Sequence, residues 1–201
     1  MPLLVLVRHG QSEANLANVF TGWLDVPLTS QGEEEARAAG RKLRGLHFDV
    51  AFCSTLGRSF HTLELMLEEI GQLTIPVYAS DALRERMYGA LQGHNKLEAM
   101  HEYGAEQVAR WRRSYDEAPP AGESLHQTLD RVVSYYHDVL LPSLEAGRNL
   151  LVVSHGNTLR ALRMKLDGLS VAQVEALEIP TGAIRVYELT PALAIQAVRD
   201  L

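Results

Sequence analysis

Two short runs of this chain contain no polar residue: Leu3-Leu4-Val5-Leu6-Val7 and Leu150-Leu151-Val152-Val153. Each stops at the same kind of turn, Arg8-His9-Gly10 in the first case and Ser154-His155-Gly156 in the second. Apolar runs of this length, bounded by polar residues, read as strands and fall far short of a membrane span. Strands buried on both faces belong to parallel sheets covered by helices. The residues at their carboxyl ends then stand where open α/β sheets hold ligands. Of the eight histidines, only His9 and His155 end an apolar strand and precede a glycine.

Helical patterns alternate with these strands. Ser30-Gln31-Gly32-Glu33 has capping-box spacing, and Ala36, Ala39, Gly40 and Leu43 follow at helical intervals, so a helix is expected from there to about Gly45. Asp49 to Cys53 reads as a strand. Leu63, Met66, Leu67 and Ile70 form a helical face stopped by Gly71, and Pro76 to Ala79 is a short strand. Ser124 caps a long helix with Leu125, Leu129, Val132, Val133, Tyr136 and Leu140 on one face. The strand ending at Ser154 feeds a helix through Leu159, Leu162 and Leu166 to Gly168. Another helix opens at Ser170, and Ala183 to Leu189 is the last strand expected. The expected fold is α/β and three-layered, a mostly parallel sheet with helices on both faces.

Two stretches escape this pattern. Ser12 to Ser30 is long for a plain connection, which favours a functional loop. Leu83 to Asp116 is dense in Arg, Glu, Tyr, Trp, Asn and Lys, with weak periodicity until a helix from about Glu106 to Tyr115. Pro119-Pro120 marks the one linker-like patch, too short to separate domains, so residues 1–201 are expected to form a single domain.

A composition of 46% hydrophobic and 22% charged residues is that of a globular chain. The formal charge of −6 argues against nucleic-acid binding, since no basic face could track a phosphate backbone. The single cysteine, Cys53, excludes an internal disulfide and reads as a small core residue. The N-terminus lacks the features of a secretory signal and no apolar run approaches a membrane span, so a soluble, cytoplasmic protein without a membrane partner is expected.

The two His-Gly turns suggest chemistry on an anion. Arg8 sets a fixed positive charge beside His9, and Gly156-Asn157 opens a helix whose amino end favours negative charge. Such a histidine suits metal ligation or attack on a phosphoryl group. Metal is disfavoured, because H-x-x-x-H and H-E-x-x-H spacings are absent and no acidic pair accompanies either turn. Arg58, Arg84, Arg86, Lys96, Arg112 and Arg113 are candidate anion-binding cations. A monophosphate carries about −1.5 to −2, so a sugar-acid bisphosphate approaches roughly −4 to −5 and needs several of them. Glu85 reads either as a salt-bridged carboxylate or as a general acid/base. Neither the G-x-G-x-x-G fingerprint nor a P-loop is present.

Together these residues make the chain resemble the cofactor-dependent phosphoglycerate mutases of the histidine phosphatase superfamily. Arg8-His9-Gly10 is the mark of the superfamily. More specific are Phe20-Thr21-Gly22-Trp23 followed by Asp25, and Leu83-Arg84-Glu85-Arg86-x-Tyr88-Gly89-x-Leu91-Gln92-Gly93-x-Asn95-Lys96. Trp111-Arg112-Arg113-Ser114-Tyr115-Asp116, His155-Gly156-Asn157-x-Leu159-Arg160 and Ile179-Pro180-Thr181-Gly182 continue the likeness, which covers nearly the whole chain.

The resemblance implies a phosphoglycerate mutase-like fold and assigns roles. His9 would be the nucleophile that forms a phosphohistidine. His155 would be a second, cationic histidine, Glu85 the proton donor and acceptor, and Arg8 and Arg58 a clamp on the phosphoryl oxygens. Ser12, Asn15, Thr21, Gly22, Arg86, Tyr88, Lys96, Arg112, Arg113, Gly156 and Asn157 would join them in binding substrate. The implied reaction interconverts 3-phosphoglycerate and 2-phosphoglycerate in glycolysis and gluconeogenesis, primed by 2,3-bisphosphoglycerate and without a metal. The partner is then a small anionic phosphorylated substrate, and a homo-oligomer stays open.

The chain departs from these mutases at Gln11, Ala14 and Met87, where they usually carry Glu, Trp and His. It also lacks an insertion that longer members carry after Pro119-Pro120, and has a short tail after Glu188. The missing cover predicts more hydrolytic leakage than in the long forms. A broad histidine phosphatase acting on phosphomonoesters is the nearest alternative, and a non-catalytic phospho-ligand sensor a more distant one.

Overall fold

The strands pair as a computed structural model of the chain shows for residues 1–201. They are β1 (Leu3–Arg8), β2 (Val50–Ser54), β3 (Val77–Ser80), β4 (Leu150–Ser154), β5 (Ile184–Leu189) and β6 (Ile195–Asp200), in the sheet order β3-β2-β4-β1-β5-β6. The first four run parallel, while β5 is antiparallel to β1 and β6 antiparallel to β5. The helices are α1 (Glu13–Leu16), α2 (Ser30–Lys42), α3 (Gly57–Ile70), α4 (Lys96–Tyr103) and α5 (Ala105–Arg113). They continue with α6 (Leu125–Tyr135), α7 (Leu141–Glu145), α8 (Gly156–Asp167) and α9 (Val171–Ala176).

The apolar runs are unbroken because both sheet faces are covered. Leu4, Leu6, Phe52, Leu150 and Val152 pack with Val132 and Leu140 of the α6 region and with Leu159 and Leu162 of α8. Their sequence neighbours Val5, Val7, Ala51, Leu151 and Val153 point the other way, onto Ala39 of α2, Leu43 and Leu63, Met66 and Leu67 of α3. Successive side chains on a strand face opposite sides, so each strand feeds two cores.

Register sets the position of the site. Val7 pairs with Val153 and Arg8 with Ser154, so β1 and β4 end level at one edge. The His9 N–H donates to the Ser154 carbonyl at 2.9 Å. After β1 the chain leads to α2 on one face, and after β4 it enters α8 on the other. This divergence opens a crevice between neighbouring strands, where ligands of open α/β sheets bind. The turn after β1 is tight: a Cβ on Gly10 would lie 2.0 Å from the Gly32 carbonyl oxygen, so no larger residue fits against α2.

Some local expectations differ. The cap of α2 is Thr29, not Ser30; its side chain accepts from the Gly32 N–H. Thr29 is held extended by its own N–H donating to the Gln11 carbonyl, so the helix starts one residue early. The short helices α1 and α7 were not expected, and nor were two longer elements, α4 and β6. In α4 only Ala99 is buried, and every residue of β6 is exposed, so neither carries the apolar period that marks an element in sequence. No helix is long and apolar enough to cross a membrane.

Candidate active site

At the level edge of β1 and β4 lies a cleft of about 200 Å³. His9 and His155 meet edge to face beneath it, with ring centroids 4.9 Å apart, and both are buried. His9 Nδ1 lies 2.7 Å from the Gly10 carbonyl oxygen. A carbonyl can only accept, so Nδ1 carries the proton and Nε2 keeps its lone pair. His155 Nε2 lies 2.6 Å from Ser54 Oγ at the end of β2. Ser54 Oγ already accepts from the Leu56 N–H, so its own hydrogen is free to point at Nε2. We assign the hydroxyl as the donor in that bond, which puts the proton of His155 on Nδ1, a buried nitrogen with no partner in the protein. Ser54 is a positioning group that strand patterning alone did not reveal.

Burial lowers both imidazoles well below their ordinary value of 6.5, and the cations Arg58 and Arg8 lower them further. His155 is therefore held toward its neutral form while no anion is bound, and its charge against a transferring phosphoryl group stays the expectation stated above. In the unfolded chain both would titrate near 6.5. Below that pH the unfolded state binds protons that the folded state refuses, so their contribution is complete above about 6.5 and is lost as pH falls toward the folded values. The urea midpoint is expected to hold steady from about pH 8 to 7 and to drop between about 6.5 and 5. A His9→Gln, His155→Asn double variant should flatten that drop; an unchanged slope would refute the assignment.

Two arginines close the floor. Arg8 Nη1–H donates to the Ile179 carbonyl at 2.5 Å, while its buried Nε–H has no partner. Arg58, at the start of α3, donates to the carbonyls of Leu24 and Gly22, each at 2.8 Å. Burial pushes the Arg58 guanidinium down to about 10, which still leaves it charged at neutral pH. Neither arginine is paired with a carboxylate.

Glu85 forms one wall. Its Oε1 accepts from the Arg86 N–H at 2.8 Å and the Asn157 N–H at 3.0 Å. The free amide expected at the start of α8 thus caps onto Glu85. A Cβ on Gly156 would lie 3.6 Å from Glu85 Oε2 and 3.7 Å from Arg8 Cζ, which places the carboxylate and guanidinium beside one glycine. Tyr88 Oη accepts from Arg86 Nη2 at 3.1 Å and from Asn157 Nδ2 at 3.3 Å. Burial pushes its phenol up, but the Arg86 charge together with the hydrogen bonds from Arg86 and Asn157 leaves it below its ordinary range.

Lys96, Arg112 and Arg113 line the outer rim, with Asn15, Thr21 and Gly22 opposite. Burial and Arg112 lower the Lys96 ammonium. Arg113 is ion-paired with Glu178, whereas Lys96 and Arg112 have no carboxylate partner. Three expected residues do not line the cleft: His155, beneath it, and Ser12 and Arg86. Ser12 is buried as the cap of α1, where its side chain accepts from the Asn15 N–H. Arg86 lies fully buried behind Tyr88, donating to the Arg112 carbonyl. Main-chain groups engage both side chains where they stand, the Asn15 N–H for Ser12 and the Arg112 carbonyl for Arg86.

Residues without an assigned role also line the cleft, among them Phe20, Arg160, Leu177, Glu178 and Ile179. Arg160 Nη1 donates to Asn157 Oδ1 at 2.8 Å and so turns the Asn157 amide toward Tyr88. Position within the His155 to Arg160 motif was the only sequence signal for it. Gln11, Ala14 and Met87, where the chain departs from the mutases, are all absent from the cleft wall. Gln11 Oε1 accepts from the Thr29 hydroxyl at 2.9 Å, and Ala14 is buried.

A match to the family described as histidine phosphatase superfamily, branch 1, spans residues 4–196. The chain belongs to the histidine phosphatase superfamily. Among relatives in that superfamily, a protein of Cytophaga hutchinsonii named 2,3-bisphosphoglycerate-dependent phosphoglycerate mutase is 52% identical over 198 residues, 98% of this chain and 92% of its own. One of the same name from Nitrobacter winogradskyi is 53% identical over 201 residues, covering 99% of this chain and 97% of its own. A solved superfamily fold, the alpha-ribazole phosphatase of Shigella flexneri, superposes with a TM-score of 0.79 at 27% identity, covering 98% of this chain and 95% of that one.

Proposed function

We propose that this protein is a 2,3-bisphosphoglycerate-dependent phosphoglycerate mutase that interconverts 3-phosphoglycerate and 2-phosphoglycerate in glycolysis and gluconeogenesis, through a phosphohistidine at His9. The observation that carries the reading is a buried imidazole with its Nε2 lone pair free, facing a second buried imidazole among cations with no carboxylate partner. Support also comes from the mutase name borne by relatives at 52% and 53% identity over nearly their whole length.

The protein's residues fit a bisphosphorylated acid of roughly −4 to −5. The unpartnered Nε–H of Arg8 and Nδ1–H of His155 are buried donors that an anion would satisfy. Arg58, Lys96 and Arg112 add charge without a competing carboxylate, and Arg113 can exchange its exposed partner Glu178. When bound, 2,3-bisphosphoglycerate supplies the phosphoryl group that primes His9. No metal is needed in this reading, because fixed cations do the electrostatic work.

In the transfer step His9 Nε2 forms the N–P bond as the P–O bond to the donor oxygen breaks. Glu85 gives that oxygen its proton. In the reverse direction Glu85 takes the proton of the acceptor hydroxyl while the oxygen attacks phosphorus and the N–P bond breaks. Arg8, Arg58 and His155 Nδ1–H stay on the three phosphoryl oxygens throughout, so little reorganises as charge moves. The cytoplasm is the expected setting.

Conversion of 3-phosphoglycerate, with and without 2,3-bisphosphoglycerate, is compared with hydrolysis of a generic aryl phosphate. Isomerisation that rises with primer supports the mutase, and rapid hydrolysis without isomerisation would falsify it in favour of a phosphatase. The ratio of hydrolysis to isomerisation is expected to exceed that of a mutase carrying the longer insertion. An equal or lower ratio would show that the missing segment does not exclude water.

A further inference from the structure

The segment that bears Glu85 has no regular element to hold it. Between β3 and α4 the chain makes only two short 3-10 turns, Asp81–Leu83 and Gly89–Leu91, and Glu85 lies between them. Such a backbone is fixed by side chains or not at all, and a general acid must sit within a fraction of an ångström of the oxygen it serves.

Several side chains hold it. Ser154 Oγ donates to the Leu83 carbonyl at 2.7 Å, Thr158 Oγ1 to that of Arg84 at 2.6 Å and Trp23 Nε1 to that of Glu85 at 2.8 Å. One guanidinium ties the stretch from residue 82 to 85 together. Arg131, on α6, donates through Nη1 to the carbonyls of Ala82 at 2.8 Å and Arg84 at 3.1 Å, and through Nη2 to the carbonyl of Glu85 at 3.4 Å. Its remaining bonds form a fork onto Glu123, Nε to Oε1 at 3.1 Å and Nη2 to Oε2 at 2.8 Å. All sides of the guanidinium are thereby engaged, a geometry that lysine cannot copy. Glu123 closes the loop on the far side of Glu85. Its Oε2 accepts from the Met87 N–H at 3.0 Å, and its own N–H donates to the Met87 carbonyl at 2.8 Å.

The neighbouring linker lies against the same segment. A Cβ on Gly89 would stand 2.2 Å from the Pro120 carbonyl oxygen, so the chain at Pro120 is in direct contact with it. The short connection after Pro119-Pro120 thus does more than omit a cover: it brings Glu123 to the carboxylate's backbone.

We infer that Arg131 and Glu123 act as a pair of positioning residues that hold Glu85 at proton-transfer distance, without themselves touching substrate. Neither lines the cleft. The inference rests on Glu85 being the acid/base of the proposed mutase. The pair fixes Glu85 from both flanks, at the carbonyls of residues 82, 84 and 85 and at the amide of residue 87. Displacing a catalytic group by about 1 Å costs on the order of 100-fold in rate, so loss of the fork should act on turnover and leave substrate affinity almost untouched.

The test is a double-mutant cycle read by the single-turnover rate of His9 phosphorylation from 2,3-bisphosphoglycerate, with kcat, KM and melting temperature beside it. Arg131→Gln is expected to slow labelling about 10- to 100-fold with KM within about threefold. In a Glu85→Gln background the same change should cost less than about threefold, because the route through the Glu85 carboxylate is already gone. Arg131→Lys should resemble Arg131→Gln, and Glu123→Gln should fall between them and the parent. Equal losses in both backgrounds, or a rise in KM that accounts for the loss, would overturn the inference. So would a lysine variant of full activity.

If the parent protein takes up label but does not isomerise, the mutase reading fails and the cycle still judges the pair. If it accepts label only from a monoester, the cycle is run with phenyl phosphate, whose leaving oxygen also needs a proton. A variant that melts too early to assay is replaced by Glu123→Gln in the same cycle.

Discussion

His9→Ala is expected to lower isomerisation by about 10,000- to 1,000,000-fold, the scale of losing a catalytic nucleophile. It should also abolish the acid-labile, alkali-stable phosphoryl label. No neighbouring group can take over. His155 Nε2 is occupied by Ser54 at 2.6 Å, and its Nδ1 is the nitrogen left with the proton. Cys53 is buried in the core packed on α3, and burial pushes its thiol up to about 12. A thiol held protonated is a poor nucleophile. The check is label transfer from 2,3-bisphosphoglycerate followed by acid and alkali treatment. Label persisting at parental levels in His9→Ala would place the phosphoryl group on another residue.

Glu85→Gln is expected to lower kcat by about 100- to 10,000-fold, the range for losing a positioned general acid/base. Glutamine is nearly isosteric, and its amide oxygen can still accept from the Arg86 and Asn157 N–H groups that hold Oε1. The wall of the cleft should therefore stand and KM should change little. What is lost is the proton shuttle at Oε2. The loss should shrink when the leaving oxygen needs no proton, so 4-nitrophenyl phosphate should label the variant far better, relative to the parent, than 2,3-bisphosphoglycerate does. Equal losses with the two donors would assign Glu85 to charge alignment instead of proton transfer.

These two residues were legible for different reasons. His9 and His155 stand where an apolar run ends at glycine, a pattern tied to strand burial and therefore visible in local sequence. Glu85 has no such marker. Between Arg84 and Arg86 it reads equally as a salt-bridged carboxylate, and only the family motif singled it out. The structure shows why composition misleads there. Arg84 pairs with Asp81 and lies over Trp23, while Arg86 turns inward beneath Tyr88, so neither guanidinium holds the carboxylate.

The same logic explains what was missed. Ser54 acts through a hydrogen bond to His155, far away in sequence, and Arg160 through one to Asn157 across a helix turn. Arg131 has an ordinary place on an amphipathic helix, and nothing in its neighbours reports three carbonyls waiting on another segment. Ser12 and Arg86 illustrate the converse. Their residue types suit an anion site, but backbone groups nearer to them claim their side chains.

By itself the sequence determined the layered α/β fold and the two histidines at strand ends, because burial on both faces writes itself as unbroken apolar runs. It also determined the number of cations available to a phosphorylated ligand. Tertiary structure alone decided that Val7 meets Val153 in register, which sets the two imidazoles edge to face. It decided the protonation of both rings as well, since a tautomer follows from its hydrogen-bond partner and a depressed pKa from burial, and neither is a property of the residue or its neighbours in the chain.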